Sequence, residues 1–377
     1  MPDVIVIGGG IIGTAVGYHT ADRGRDTLVF DRADDGAATA AGAGIVSPET
    51  SRHASEDWYR LAMRAADYYP TIDAELRAAG ADETGFATPG TLVVDPAAYE
   101  PSPYRDGVER VFARQQRHDH PDPGTLERVS GATARRSFPP LAETRGAISY
   151  TDGGRVDGST FRDALRTAAD PDRFGWREAA VTAIRTEGDR VSGVETTAGR
   201  YDADAVVVAG GAWSPTVAGD LEFGVPVSPE RGQIMRLAVD ARTEDWPIVN
   251  TFQGYYLVPW DDGTVSMGAT REAGAGFEPR VTPAGLREIT GALESIASGL
   301  ADATVVDTAV GLRPASADGL PLLGPVPSIE GAYLATGHGS TGLQLGPYSG
   351  MLLAAMIDGE APPVDPDPYL PARFDDP

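Results

Sequence analysis

Three glycines, Gly8, Gly10 and Gly13, sit in the stretch VIVIGGGIIG, residues 4–13. A turn without side chains lets backbone N–H groups close on a phosphate, and a helix starting there adds free donors and its positive dipole end. The chemistry on offer is the binding of a dinucleotide pyrophosphate. Asp31 follows Gly13 by 18 residues, a spacing at which a carboxylate accepts from ribose hydroxyls. A second glycine loop, GHGSTGLQLG at 337–346, follows an apolar run and is placed to bring backbone donors to a ligand in the same way. Its His338 is the nearest candidate for a general base. NAD and FAD both satisfy this much.

These groups act only if secondary structure holds them. Residues 4–7 read as a buried strand, 11–23 as a small-residue helix closed by Gly24, and 27–30 as a second strand ending at Asp31. That order of strand, turn, helix and strand turns a common glycine pattern into a specific one. The Ala/Gly loop at 35–48 then allows close approach of backbone to a phosphate or flat ring. Residues 54–80 read as a helix with Trp58, Leu61, Ala65, Tyr68 and Ile72 on one face, whereas 81–150 is irregular and rich in Pro and Arg. A helix at 156–169, capped by Asp157 or Ser159, precedes three strands at 181–184, 191–196 and 203–209. Residues 225–310 alternate as antiparallel sheet around a helix at 283–298. A strand at 332–336 and a helix at 347–357 close the pattern. The strand type switches twice, which predicts a discontinuous cofactor domain (1–80, 150–220 and 311–377) carrying an inserted substrate domain (81–149 and 221–310).

Bulk properties remove several function classes. A formal charge of −24 repels nucleic acid and anionic membranes, so neither is expected as a partner. Every one of the 31 basic residues is arginine; an acidic, lysine-free surface suits molar salt, where the Debye length is about 3 Å. Salt adaptation is the reading. The absence of cysteine excludes disulfides, thiolate metal sites and a thioether-linked cofactor, and five scattered histidines do not suggest zinc. The N-terminal apolar run has no basic region before it and no segment reaches membrane-spanning length, so a cytoplasmic protein without a membrane span is expected.

Six stretches in order, VIVIGGGIIG, VVVAGGAWSP, RGQIMRL, YYLVPWDDGTVSMGATRE, GLRPASADGLPLLG and GHGSTGLQLGPYSG, resemble the superfamily of FAD enzymes that includes glycine oxidase, sarcosine oxidase and D-amino-acid oxidases and dehydrogenases. The likeness covers all but 81–150. It implies an α/β chain, α+β overall, with a Rossmann-like FAD domain of the glutathione-reductase type and an antiparallel substrate domain. It implies non-covalent FAD rather than NAD. The return to the cofactor at 332–357 and the lack of a second glycine fingerprint agree. Under this resemblance Gly8, Gly10, Ile11, Ile12 and Gly13 face the pyrophosphate, Asp31 (where Glu is commoner) the ribose and Arg32 the adenosine. Ala43, Gly44 and Ile45 line the flavin, and Val181 meets the adenine through its main chain. Ala209, Gly210, Trp213, Arg313, Gly339, Ser340 and Thr341 complete the contacts, with Gly342, Leu343 and Gln344 as donors to flavin N1 and the C2 carbonyl.

The resemblance further implies that Arg313 pairs with a substrate carboxylate and that Tyr256 donates to it. The reaction implied is oxidation of a small amino acid (glycine, a D-amino acid, or an N-methyl or cyclic amine acid). Hydride passes from Cα to flavin N5, giving an imino acid that water converts to a 2-oxo acid. Ser340 stands where glycine oxidases carry a second arginine, which points away from glycine itself. No lysine is present to activate oxygen, which leans toward a dehydrogenase serving a quinone or carrier over an oxidase using oxygen. Two alternatives stay open: a 2-hydroxy-acid dehydrogenase using His338 as base, and a non-catalytic electron-transfer flavoprotein subunit.

Overall fold

Val4–Ile7 is apolar, β-branched and buried at every residue, as the central strand of a parallel sheet covered on both faces must be. In the computed structural model, which describes residues 1–327 and 329–375, it lies fourth in a six-stranded sheet. The order is Leu322–Pro325, Ala332–Thr336, Ala205–Val208, Val4–Ile7, Thr27–Asp31 and Phe174–Glu178. All neighbours pair in parallel except the edge strand Leu322–Pro325. The glycine turn, Asp31 and the 337–341 loop therefore emerge at the same carboxyl end of the sheet, where open α/β sheets bind ligands.

Two helices pack on each other over this sheet. Ile11–Asp22 has small residues at its contact points, and a Cβ on Gly350 of the helix Gly342–Ile357 would lie 2.6 Å from Ala15 backbone. The long helix Glu56–Ala78, capped by Ser55, covers them with Trp58, Leu61, Ala65, Tyr69 and Ile72 buried; Tyr69 rather than Tyr68 is the fully buried tyrosine.

The structure departs from the sequence reading at four places. The helix expected from 347 begins at Gly342, so Pro347 lies inside it. The expected strand 203–209 is two features. Gly199–Asp202 completes an antiparallel meander with Val181–Glu187 and Arg190–Thr196, and Ala205–Val208 crosses into the parallel sheet. Phe174–Glu178 is a strand where none was expected. The irregular stretch 81–150 is ordered, with strands Thr91–Pro96, Leu126–Ser130 and Thr144–Tyr150 and helices Tyr104–His118 and Gly131–Ser137.

Those three strands belong to a nine-stranded sheet. Its order is Glu272–Ala273, Val227–Ala238, Thr264–Gly268, Tyr256–Pro259, Ile248–Thr251, Thr91–Pro96, Thr144–Tyr150 and Leu126–Ser130, with Thr304–Ser316 along the other edge of Val227–Ala238. Ile248–Thr251 runs parallel to Thr91–Pro96 and joins two sequence regions about 150 residues apart into one sheet. Pro283–Ile296 packs Ile289, Leu293 and Ile296 against Leu92, Val94, Met235 and Leu257 to close its core. Thr304–Ser316 is the long strand of this sheet, and the border expected between 310 and 311 falls within it. Its end, Gly311–Pro314, reaches back to the glycine loops.

Candidate active site

A cavity of about 650 Å³ lies between the carboxyl end of the parallel sheet and one face of the nine-stranded sheet. Of the residues expected at a cofactor, Gly8, Gly10, Ile11, Ile12, Asp31, Arg32, Ala43, Gly44, Ile45 and Val181 are on its wall. So are Ala209, Gly210, Trp213, Arg313, Gly339, Ser340, Thr341, Gly342, Leu343 and Gln344. Gly13 is not. A Cβ there would lie 1.8 Å from the Gly8 carbonyl oxygen, so its glycine lets helix and turn touch. Gly8 has φ +106°, and its Cβ would lie 2.4 Å from the Ala209 carbonyl oxygen.

The first turn of Ile11–Asp22 is capped from a distance, with the Ile11 amide donating to Thr39 Oγ1 at 2.9 Å. Helix geometry leaves the amides of Ile12 and Gly13 without intrahelical acceptors. Asp31 spends one carboxylate oxygen on the Ala33 amide, at 2.9 Å; the other has no hydrogen-bond partner among the described residues and lies, with the Trp176 ring, where a Cβ on Gly9 would be. Arg32 is paired with Asp34 at 2.6 Å rather than free. At the opposite end the helix Gly342–Ile357 has no side-chain cap, and Gln344 Nε2 is buried, on the wall and without a partner. A glycine cradle, a free carboxylate oxygen and an orphan buried donor fit a group with a pyrophosphate, a ribose and an electron-accepting ring.

The substrate-side groups are set by sheet register. Tyr256 pairs across from Gly268, and a Cβ on Gly268 would lie 2.5 Å from the Tyr256 hydroxyl, so the glycine makes room for the phenol head. Gly232 does the same for Arg313, whose Nη2 lies 2.4 Å from the position of its missing Cβ. Arg313 Nη1 donates to Glu230 Oε1 at 2.8 Å and to the Thr270 carbonyl at 3.0 Å. Burial pushes the Tyr256 phenol up, and the Arg313 and Arg271 guanidiniums only partly offset this, so it remains a donor at neutral pH. The structure brings Arg313 and Tyr256 together on one wall.

His338 is on the wall too, but it is buried, with Nε2 against Ser349 Oγ at 3.1 Å. Burial holds its pKa down to about 3, so the ring is neutral and weakly basic.

Sequence reasoning missed Glu230, Arg271 and Arg52. Arg271 Nη1 donates to the same Glu230 Oε1 at 3.0 Å, and its Nη2 to Ser340 Oγ at 3.2 Å. Arg52 donates to the carbonyls of Gln253 and Phe252, at 3.0 and 3.4 Å. The turn carrying it is fixed by Arg114, which donates to the carbonyls of Ser51 and His53. Burial, then Arg271 and Arg110, lowers the Arg52 pKa. The only signal in the sequence was position: Arg271 follows the stretch GAT just after Met267, and Arg52 follows the small-residue loop.

With this geometry established, likeness to known proteins identifies the scaffold. The family model DAO, FAD dependent oxidoreductase, matches residues 3–356. The chain is 32% identical over 376 residues to glycine oxidase of Pseudomonas putida, covering 98% of each. It resembles the crystal structure of iminodiacetate oxidase from a Chelativorans species with a TM-score of 0.90 and 37% identity over 98% of both chains. Glycine oxidase of Geobacillus kaustophilus superposes with a TM-score of 0.89 at 26% identity, over 99% of this chain and 98% of that one. No helix among the described residues is long and apolar enough to cross a membrane. The chain belongs to the DAO family of FAD-dependent oxidoreductases, with its mixed α/β fold.

Proposed function

We propose that this FAD-dependent oxidoreductase oxidises the Cα–N bond of a small amino acid with a primary or secondary amine, giving an imino acid and then, with water, a 2-oxo acid. The observation that carries the reading is the pairing of Arg313 with Tyr256 on the cavity wall, each given room by a glycine on the facing strand. The glycine oxidase and iminodiacetate oxidase relatives support the same donor class. FAD, when bound, accepts the hydride from Cα. Arg313 holds the substrate carboxylate through a planar fork, and Tyr256 donates a further hydrogen bond, so Cα is fixed rather than free to turn. Gln344 and the uncapped amides of Gly342 and Leu343 supply donors at the ring edge where charge gathers. The glycine turn and Asp31 hold the dinucleotide, with Arg32 and Val181 at its adenosine end. We assign residues 1–80, 150–220 and 311–377 to the cofactor-holding unit and the remainder to the substrate unit, with the strand Thr304–Ser316 passing from one to the other.

The weak basicity of buried His338 weighs against a 2-hydroxy-acid dehydrogenase, which needs a base for the hydroxyl proton. The test is anaerobic mixing of the holoenzyme, in molar salt, with glycine, N-methylglycine, D-alanine, proline and lactate. Loss of the oxidised flavin absorbance with one or more amines, and not with lactate, is expected. Loss with lactate alone overturns the proposal, and no loss with any compound favours an electron-transfer subunit. Turnover with oxygen against a quinone then identifies the acceptor.

A further inference from the structure

Three guanidinium groups, Arg313, Arg271 and Arg52, line the same end of the cavity. Glu230 is the carboxylate that Arg313 and Arg271 share, and it serves both through one oxygen. Because both bonds converge on Oε1, the Nη1 atoms of Arg313 and Arg271 lie within about 6 Å of each other. Arg52 has no carboxylate at all among the described residues; its hydrogen bonds go to backbone carbonyls. In a chain with 55 acidic residues against 31 arginines, leaving such a cluster short of negative charge is a local reversal of the molecule's own composition. Like charges this close repel, and a site that tolerates the repulsion is arranged for anions from outside.

The three differ in depth. The Arg313 side chain is 14% exposed and that of Arg271 55% exposed, and Arg52 is exposed as well, so the cations run outward from half-buried Tyr256. Both outer cations are held in place, Arg271 by Glu230 and Ser340 and Arg52 by a turn that Arg114 clamps. One carboxylate on Arg313 and Tyr256 leaves Arg52 with no carboxylate and Arg271 with only the Glu230 oxygen it shares with Arg313.

We infer that Arg271 and Arg52 form a second anion subsite and that the substrate is an amine bearing two carboxylates on a short tether. One carboxylate sits on Arg313 and Tyr256, and the other on the outer pair. This rests on the amine-oxidation reading above. The spacing of Arg313 and Arg271 suits a link of a few atoms, with the amine between the carboxylates or next to one of them. The reaction balances as before: Cα loses hydride to FAD and the nitrogen a proton, giving an imine, and water then releases a 2-oxo acid and an amine, the second carboxylate staying on the amine when the nitrogen lies between the two carboxylates and on the 2-oxo acid when it lies next to one.

The test compares iminodiacetate with N-methylglycine, which share the secondary amine and differ in the second carboxylate. The holoenzyme is expected to favour iminodiacetate by about tenfold or more in kcat/KM, and Arg271→Gln and Arg52→Gln each to shrink that ratio several-fold. A merely structural role would lower both substrates together and leave the ratio intact, which would overturn the inference. A second readout needs no turnover: malonate, but not acetate, should perturb the spectrum of the bound flavin, and the variants should weaken that response about tenfold. If amines are oxidised without preference for the second carboxylate, the subsite is refuted while the amine reading stands. If no amine is oxidised yet malonate binds through Arg271 and Arg52, the subsite stands and the amine reading falls.

Discussion

At the scale of single residues, Arg313 and Tyr256 separate a charge from a neutral donor. Under the proposed function, Arg313→Lys keeps the charge but loses the planar fork, so the proposed bidentate grip on the substrate carboxylate becomes a single contact. A loss of about 2 kcal/mol, or roughly 30-fold in kcat/KM for the best amine substrate, is expected with FAD content unchanged. Tyr256→Phe removes one neutral hydrogen bond and should cost no more than about tenfold. Equal losses from the two variants would mean that Tyr256 does more than position the carboxylate. The place of both residues on the cavity wall was legible in the sequence because each sits in a motif of recognisable order. Arg271, Arg52 and Glu230 were not. With arginine as the sole basic residue type, 31 candidates look alike until register and chain reversal bring a few together. The glycines opposite the reactive heads, Gly232 and Gly268, were illegible for the same reason, since their partners lie on other strands.

At the scale of elements, the helix Gly342–Ile357 shows why a boundary was misplaced. Proline is favoured at the first helical position, so Pro347 reads as a start. In the structure it lies a full turn inside, where it removes the amide that the Leu343 carbonyl would accept from. The hydroxyl of buried Tyr69, on the covering helix, donates to that carbonyl instead. Tyr69→Phe should therefore cost about 1–3 kcal/mol of stability, read as a lowered urea midpoint with unchanged slope. A loss below about 0.5 kcal/mol would show that the carbonyl finds another donor. Gly350→Ala tests the other contact of the same helix: its new methyl would meet Ala15 backbone, which cannot rotate away, at a cost of about 1–3 kcal/mol. The parallel strands other than Phe174–Glu178, the glycine turn and the capped helix 158–168 were legible because their signals are local. Residues 81–150 were not. Thr91–Pro96 is stabilised by pairing with Ile248–Thr251, and the helix Tyr104–His118 buries only Gly107, Val108, Val111 and Arg114 amid polar residues.

At the scale of the whole molecule, a net charge of −24 sets the response to both salt and acid. Added salt screens the self-repulsion of the folded surface, so Tm should rise steeply as KCl goes from dilute to molar. Acid acts through opposed groups. Protonating surface carboxylates relieves repulsion, and His120, raised by its hydrogen bond to Glu49, favours the folded state when protonated. Two buried rings act the other way. Burial holds His19 and His338 each at about 3, against an ordinary value of 6.5, so between those values the unfolded chain takes up protons that the folded chain refuses. Stability contributed by the neutral rings is complete above pH 6.5 and drains away as pH falls toward 3, by about 2 kcal/mol for each ring at pH 5. Every other group is common to parent and variant, so the difference between them isolates one ring. His19→Gln keeps an amide donor in place of the ring. The stability gap between parent and H19Q, measured by urea unfolding in constant molar KCl, should shift in favour of the variant by about 2 kcal/mol between pH 7.5 and pH 5. A gap that stays constant over that range would mean that His19 is protonated in the folded state and that its burial is not what governs the acid limb.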